Sequence, residues 1–109
     1  MPIEHWSETV AIVHLADDPQ FGDELEALAI HTKQKPLNVV LDFAGVNHIN
    51  SSNISQLLKI RKRTVATEQR MVLCAVNNHV WGVFLVTGLD KLFEFADNVM
   101  LALATLQLE

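Results

Sequence analysis

The chain has 109 residues, enough for one domain with its own core, and half of them are hydrophobic while 19% are charged, which excludes a disordered chain. Thirteen acidic residues against eight basic ones leave a net charge of −5, and the pI is near 5.4. That balance argues against a general nucleic-acid or anionic-membrane binder, and the mean hydropathy of +0.21 points to a generous core or an apolar surface kept for a partner.

Residues 1–109 read as a single domain, with no repeat, low-complexity tract or linker. The opening "MPIEHWSE" lacks the basic and then apolar regions of a signal peptide, and "PIEHW" suits a short edge strand that turns at Ser7 and Glu8. Thr9 to Leu15 alternate loosely and are rich in β-branched residues, which predicts a strand. Asp17, Asp18 and Pro19 break it. A helix follows, carried by the spacing of Leu25, Leu28, Ala29 and Thr32, with Asp23, Glu24 and Glu26 complementing its dipole. "KQKP" stops the helix, and "LNVVLDFA" is a continuous apolar run of the kind buried on both faces of a parallel sheet.

"GVNHIN" is a loop leading into "SSNISQLLKIRKR". There Ile54, Leu57, Leu58, Arg61 and Val65 follow helical spacing, all but Arg61 apolar, and predict one buried stripe. Lys59, Lys62 and Arg63 lie away from it, beside Ser55 and Gln56. Four of the eight Lys and Arg residues fall within positions 59–63, either as a solvated helix face or as a rim that steers an acidic partner. "RMVLCAV" is a second apolar strand, where the lone Cys74 reads as a buried, inert thiol. "NNHVWGVFLVTG" reads as a helix with Asn77 or Asn78 as N-cap and Gly88 as its stop. "KLFEFA" suits a last short strand, and "DNVMLALATLQL" a closing helix capped by Asp97 or Asn98, which covers the sheet or offers a homodimer face. The alternation of strands and helices with short connections implies an α/β sandwich with parallel central strands.

Two serines open the second of these helical segments. Asn50, Ser51, Ser52 and Asn53 are all good N-cap residues, so capping alone accounts for them. The same geometry also favours chemistry. A strand, loop and helix N-terminus place a hydroxyl at the carboxyl edge of a parallel sheet, where a phosphate would meet free N–H groups and the positive end of the dipole.

Other chemistries find little support. The five histidines (5, 14, 31, 48, 79) show no ligand spacing, so no metal is expected. His48 lies three residues before Ser51 but has no G-x-S-x-G elbow beside it. No phosphate-binding glycine motif is present, so no nucleotide cofactor is expected. The longest apolar run, "VWGVFLV", is far too short for a membrane helix, which makes a cytoplasmic protein without membrane insertion the default.

"LNVVLDFAGVNHINSSNISQLLKIRKR" resembles the central motif of the STAS domain family, as found in anti-sigma factor antagonists of the SpoIIAA kind. "VFLVTGLDKLFEFADNVMLALATL" is similar to that family's closing segment, at the right distance. The resemblance implies a STAS-like sandwich with a mixed sheet of about four to five strands and helices mainly on one face. It implies a non-enzymatic module that binds an anti-sigma factor acting as a serine kinase of the GHKL type. That kinase phosphorylates one serine, and a phosphatase reverses the mark. The matching acceptor is Ser51, with Asn50, Ser52, Asn53, Gln56, Lys59, Lys62 and Arg63 around it as the docking surface. Two residues depart from the family's pattern: Asn50 stands where an acidic residue precedes the acceptor, and Asn53 where a glycine follows the pair. The family also includes accessory subunits of transporters, among them lipid-trafficking ABC systems, and docking modules that are never phosphorylated.

Overall fold

The computed structural model describes residues 3–107. Five strands form one sheet in the order β1-β2-β3-β4-β5: Ile3–His5, Val10–Ala16, Asn38–Gly45, Met71–Cys74 and Glu94–Ala96. Only β1 runs antiparallel to its neighbour, and the other pairs are parallel. The crossovers are α1 (Gln20–Gln34), α2 (Ser51–Ala66) and α3 (Asn78–Thr87), and α4 (Val99–Gln107) closes the chain. Strand order never reverses. Each right-handed crossover therefore falls on the same side of the sheet, so three helices line one face.

That face is the larger core. Val13, Leu15, Val39, Leu41, Phe43 and Leu73 project from the strands against Phe21, Leu25 and Leu28 of α1, Leu57 and Ile60 of α2, and Val80 and Phe84 of α3. The alternate residues Val10, Ile12, Val40, Val72 and Cys74 face the other way and meet Ala102 and Leu106 of α4. Both faces of β3 are thus covered, which explains the consecutive apolar residues Val39, Val40 and Leu41. Cys74 is fully buried, and desolvation, with Asp42 adding to it, pushes its thiol up to about 12. α4 does cover the sheet, while leaving Met100 and Leu101 in solvent.

The boundaries differ from the sequence reading in small ways. Part of "KLFEFA" is taken by a short 3-10 turn, Leu89–Lys91, which leaves Glu94–Ala96 as the strand. Asn77 caps α3 by accepting from the Val80 N–H, and Gly88 ends it with φ of 76°, a left-handed conformation that glycine adopts without strain. Asn98 rather than Asp97 caps α4, accepting from the Leu101 N–H. At Gly45 the β2–β3 register shifts, and an added Cβ would lie 2.9 Å from the Leu15 carbonyl oxygen, so glycine is required for the strands to approach.

The α2 stripe is corrected. Its buried residues are Asn53, Leu57, Ile60 and Thr64, whereas Leu58 and Val65 are exposed. Asn53 and Thr64 can be buried because each is hydrogen-bonded, Thr64 to the Arg61 carbonyl and Asn53 through contacts set out below. The helix is therefore rotated relative to its apolar pattern.

A charged cluster that the sequence reading did not identify ties β1, β2 and β3 together. His14 Nδ1 lies 2.7 Å from Asp42 Oδ2, and its Nε2 lies 3.0 Å from Glu4 Oε1. Carboxylates only accept, so the bridge is complete when both ring nitrogens carry protons, and it favours the imidazolium form. The bonds to Glu4 and then Asp42 raise its pKa above 6.5, against partial desolvation. A raised value stabilises the fold fully below about pH 6.5, and that contribution disappears as pH climbs through the folded-state pKa. The advantage of wild type over His14→Gln in urea midpoint is expected to shrink from about pH 6 to about pH 9. A difference that grows with pH would contradict the imidazolium bridge.

Candidate functional site at the mouth of α2

Three loops meet at the carboxyl edge of the parallel strands. The β3–α2 loop lies in the middle, with β2–α1 on one side and β4–α3 on the other. Asp17 of the β2–α1 loop accepts from the Asn47 side chain at 3.0 Å and from the backbone N–H groups of Asn47 at 2.7 Å and His48 at 3.2 Å. These bonds, led by the Asn47 side chain, hold its carboxyl below the usual range. From the other side Asn77 donates to the Val46 carbonyl, and the His48 ring packs edge-on against His79 at 5.2 Å. His48 is therefore part of a ring contact between this loop and the first turn of α3, and the loop that presents the serines is pinned from two sides.

The start of α2 is a reciprocal cap built by asparagines. Asn50 Oδ1 accepts from the Asn53 N–H at 2.9 Å, and Asn53 Oδ1 accepts from the Asn50 N–H at 3.1 Å. This is the capping-box arrangement, and it makes Ser51 and Ser52 the first two residues inside the helix. Both serines are exposed, and among the described residues neither hydroxyl has a hydrogen-bond partner. The asparagines that depart from the family's pattern are the cap, and the serines are not. Asp18 completes the arrangement by accepting from Asn50 Nδ2 at 3.0 Å and from Asn53 Nδ2 at 3.2 Å.

The remaining expected site residues are divided by the helix's rotation. Ser51, Ser55, Leu58, Lys62 and Val65 recur at intervals of four and three on the solvent face, with Lys59 alongside. Gln56 is half-buried and donates to the Gly22 carbonyl. Arg63 turns inward to the Ala29 carbonyl of α1, and Arg61 donates to the Leu92 carbonyl. Lys59 and Lys62 thus stay in solvent, while the two arginines lock α2 against its neighbours. Further apolar groups lie exposed on α3 and just after it: Leu85, Val86 and Leu92. Asp17 and Asp18 belong to the site although the sequence reading used them only as strand breakers. Their signal was an acidic pair directly after a strand, at the sheet edge where α/β domains place their sites.

Among the described residues no switch point interrupts the parallel strands, and a small pocket at their carboxyl edge is lined by Asp17, Asp18, His48, Ile49, Asn50 and Asn53. Among the described residues no group of three or more His, Cys, Asp or Glu side chains could hold a metal ion, and no helix is long and apolar enough to cross a membrane. The fold and site define a small α/β domain that presents one helix mouth and one helix face to solvent.

Comparison with known proteins places that class. The STAS domain family matches residues 11–102, and the chain belongs to this family. A Bordetella bronchiseptica protein named as an anti-sigma factor antagonist, BtrV, is 30% identical over 78 residues, covering 71% of this chain and 67% of that one. The fold is similar to the crystal structure of a Thermotoga maritima protein described as an anti-sigma factor antagonist, with a TM-score of 0.85 at 18% identity over 97% of this chain and 93% of that one. It is also similar to phosphorylated SpoIIAA of Bacillus, with a TM-score of 0.74 at 16% identity over 94% of this chain and 96% of that one.

Proposed function

We propose that this chain is an anti-sigma factor antagonist that works by partner switching. In this reading it docks an anti-sigma factor that is also a serine kinase of the GHKL type. The kinase-bound ATP passes its γ-phosphoryl group to Ser51 Oγ, the hydroxyl proton goes to a base of the kinase, and ADP leaves. A phosphatase hydrolyses the ester and resets the module. The chain itself contributes no catalysis and binds no cofactor.

The observation that carries the reading is the free hydroxyl of Ser51. Capping by Asn50 and Asn53 leaves the serine exposed at the first position of α2, where nothing consumes its oxygen. Phosphate there adds about −1.5 to −2 charges at a helix N-terminus whose first turn has no acidic residue. The solvent face of α2 supports docking: Leu58 and Val65 offer apolar contact, and Lys59 and Lys62 offer steering for an acidic partner.

The test is intact-mass measurement after incubation with the cognate GHKL-type kinase and Mg-ATP. Wild type is expected to gain the mass of one phosphate, and Ser51→Ala to gain none. A mass gain that survives Ser51→Ala moves the acceptor elsewhere. A wild type that is never modified makes the chain a docking module controlled by other means, the arrangement that a transporter subunit would also use.

A further inference from the structure

Four residues in a row, Asn50, Ser51, Ser52 and Asn53, have nearly equal ability to cap a helix. Each choice of cap has a chemical consequence. A cap at Ser51 or Ser52 turns that hydroxyl onto a backbone N–H of the first turn and shifts the helix start along the chain. The cap observed at Asn50 leaves both hydroxyls free.

We propose that Asp18 is the positioning residue that sets this choice and so keeps Ser51 available. The argument lies in how the two amides are oriented. Asn50 and Asn53 each commit the side-chain oxygen to the other's backbone N–H. The NH2 groups of both must then point away from those bonds, and a single carboxylate meets them. Asp18 Oδ2 takes Asn50 at 3.0 Å and Asn53 at 3.2 Å, and Oδ1 takes Asn53 and the Gly22 N–H, each at 3.3 Å. These are charge-assisted bonds, stronger than those between neutral groups. Moving the helix start by one residue breaks the asparagine exchange and the Asp18 contacts together. Asp17 and Asp18 therefore divide the work: Asp17 holds the backbone of the loop, and Asp18 holds the register of the helix.

This inference rests on the proposed role of Ser51 only for what the free hydroxyl is used for. The test uses the full chain, isotope-labelled, with and without Asp18→Ala. In wild type the backbone chemical shifts of Asn50 are expected to be extended and those of Ser51 helical. In Asp18→Ala the extended signature is expected to move to Ser51 or Ser52, and the Asn53 amide to exchange roughly tenfold faster, as loss of a cap implies. Asp18→Asn keeps one acceptor oxygen and is expected to fall between the two. With the kinase and Mg-ATP, Asp18→Ala is expected to be phosphorylated several-fold more slowly at unchanged overall fold. A cap that stays at Asn50 in Asp18→Ala, with Asn53 exchange unmoved, overturns the role of Asp18 and leaves phosphorylation of wild type standing. A wild type that no kinase modifies overturns the function and leaves the register result standing.

Discussion

Replacing Phe84 with alanine is expected to lower the stability of the fold by about 3–5 kcal/mol, the largest loss from any single truncation argued for this chain. Phe84 is fully buried on α3, and its ring meets three others edge-on: Phe43 of β3 at 6.2 Å, Phe93 at 6.0 Å and Phe95 of β5 at 5.4 Å. Phe43 in turn meets Phe21 of α1 at 5.8 Å, so one row of rings runs from α1 across β3 to β5. Removing the middle ring forfeits its own burial and leaves a cavity that rigid strands cannot close. A domain of this size has about 5–15 kcal/mol in all, so the loss takes a third or more of it. Urea denaturation followed by tryptophan fluorescence reads the effect directly, because Trp81 packs on Phe95 at 4.9 Å. A loss below about 1 kcal/mol would show that α3 is held by its ends instead. The consequence reaches the site, since α3 also carries Asn77, the cap that holds the Val46 carbonyl of the serine loop.

The row of rings also marks where the sequence was readable. "LNVVLDFA" and "RMVLCAV" could be read as buried strands because both of their faces are covered, so apolar residues run consecutively through Val39–Leu41 and Met71–Cys74 instead of alternating with polar ones. Gly88 was readable as the end of α3 and its start was readable to within Asn77 or Asn78, because a cap and a left-handed stop are local requirements. The rotation of α2 was not. An apolar pattern through Ile54, Leu57, Leu58 and Val65 assumes that polar residues face water, and here Asn53 and Thr64 are buried with their bonds satisfied. The identity of the cap was not readable for a related reason. Asn50 to Asn53 are equivalent as local choices, and the contact that distinguishes them comes from Asp18, 32 residues before Asn50. The His14 bridge likewise joins residues 10 and 28 positions apart, across the antiparallel β1–β2 pair and the parallel β2–β3 pair, which no local pattern encodes. Ser51 as the proposed acceptor comes from family resemblance alone. What the structure adds is its surroundings: an exposed hydroxyl, a capped helix behind it and two lysines on the face beyond it.

Those surroundings make the effect of phosphate two-sided. A chain carrying phosphoserine at position 51, installed during translation, is expected to be slightly more stable than the unmodified chain and to bind its partner roughly 100-fold more weakly. The gain follows from position. Ser51 is the first residue of α2, the first turn has no acidic residue, and an anion there is stabilising by about 0.3–1 kcal/mol. Asp17 and Asp18 in the facing loop oppose part of that gain, which keeps it at the lower end. The loss follows from the partner's side. Ser51 begins the same solvent-facing row that carries Leu58, Lys62 and Val65, so a partner docked on that row must cover the serine as well. Enclosing about two negative charges without a matching cation costs on the order of 2–5 kcal/mol, and the lower part of that range is already a factor of about 100. Calorimetric titration against the partner and urea denaturation of the same two samples measure both halves. Equal affinities would place Ser51 outside the docked face and reduce phosphate to a helix cap. A stability that falls together with affinity would mean that phosphate acts by loosening α2, and release would then come from unfolding the surface rather than from charge within it.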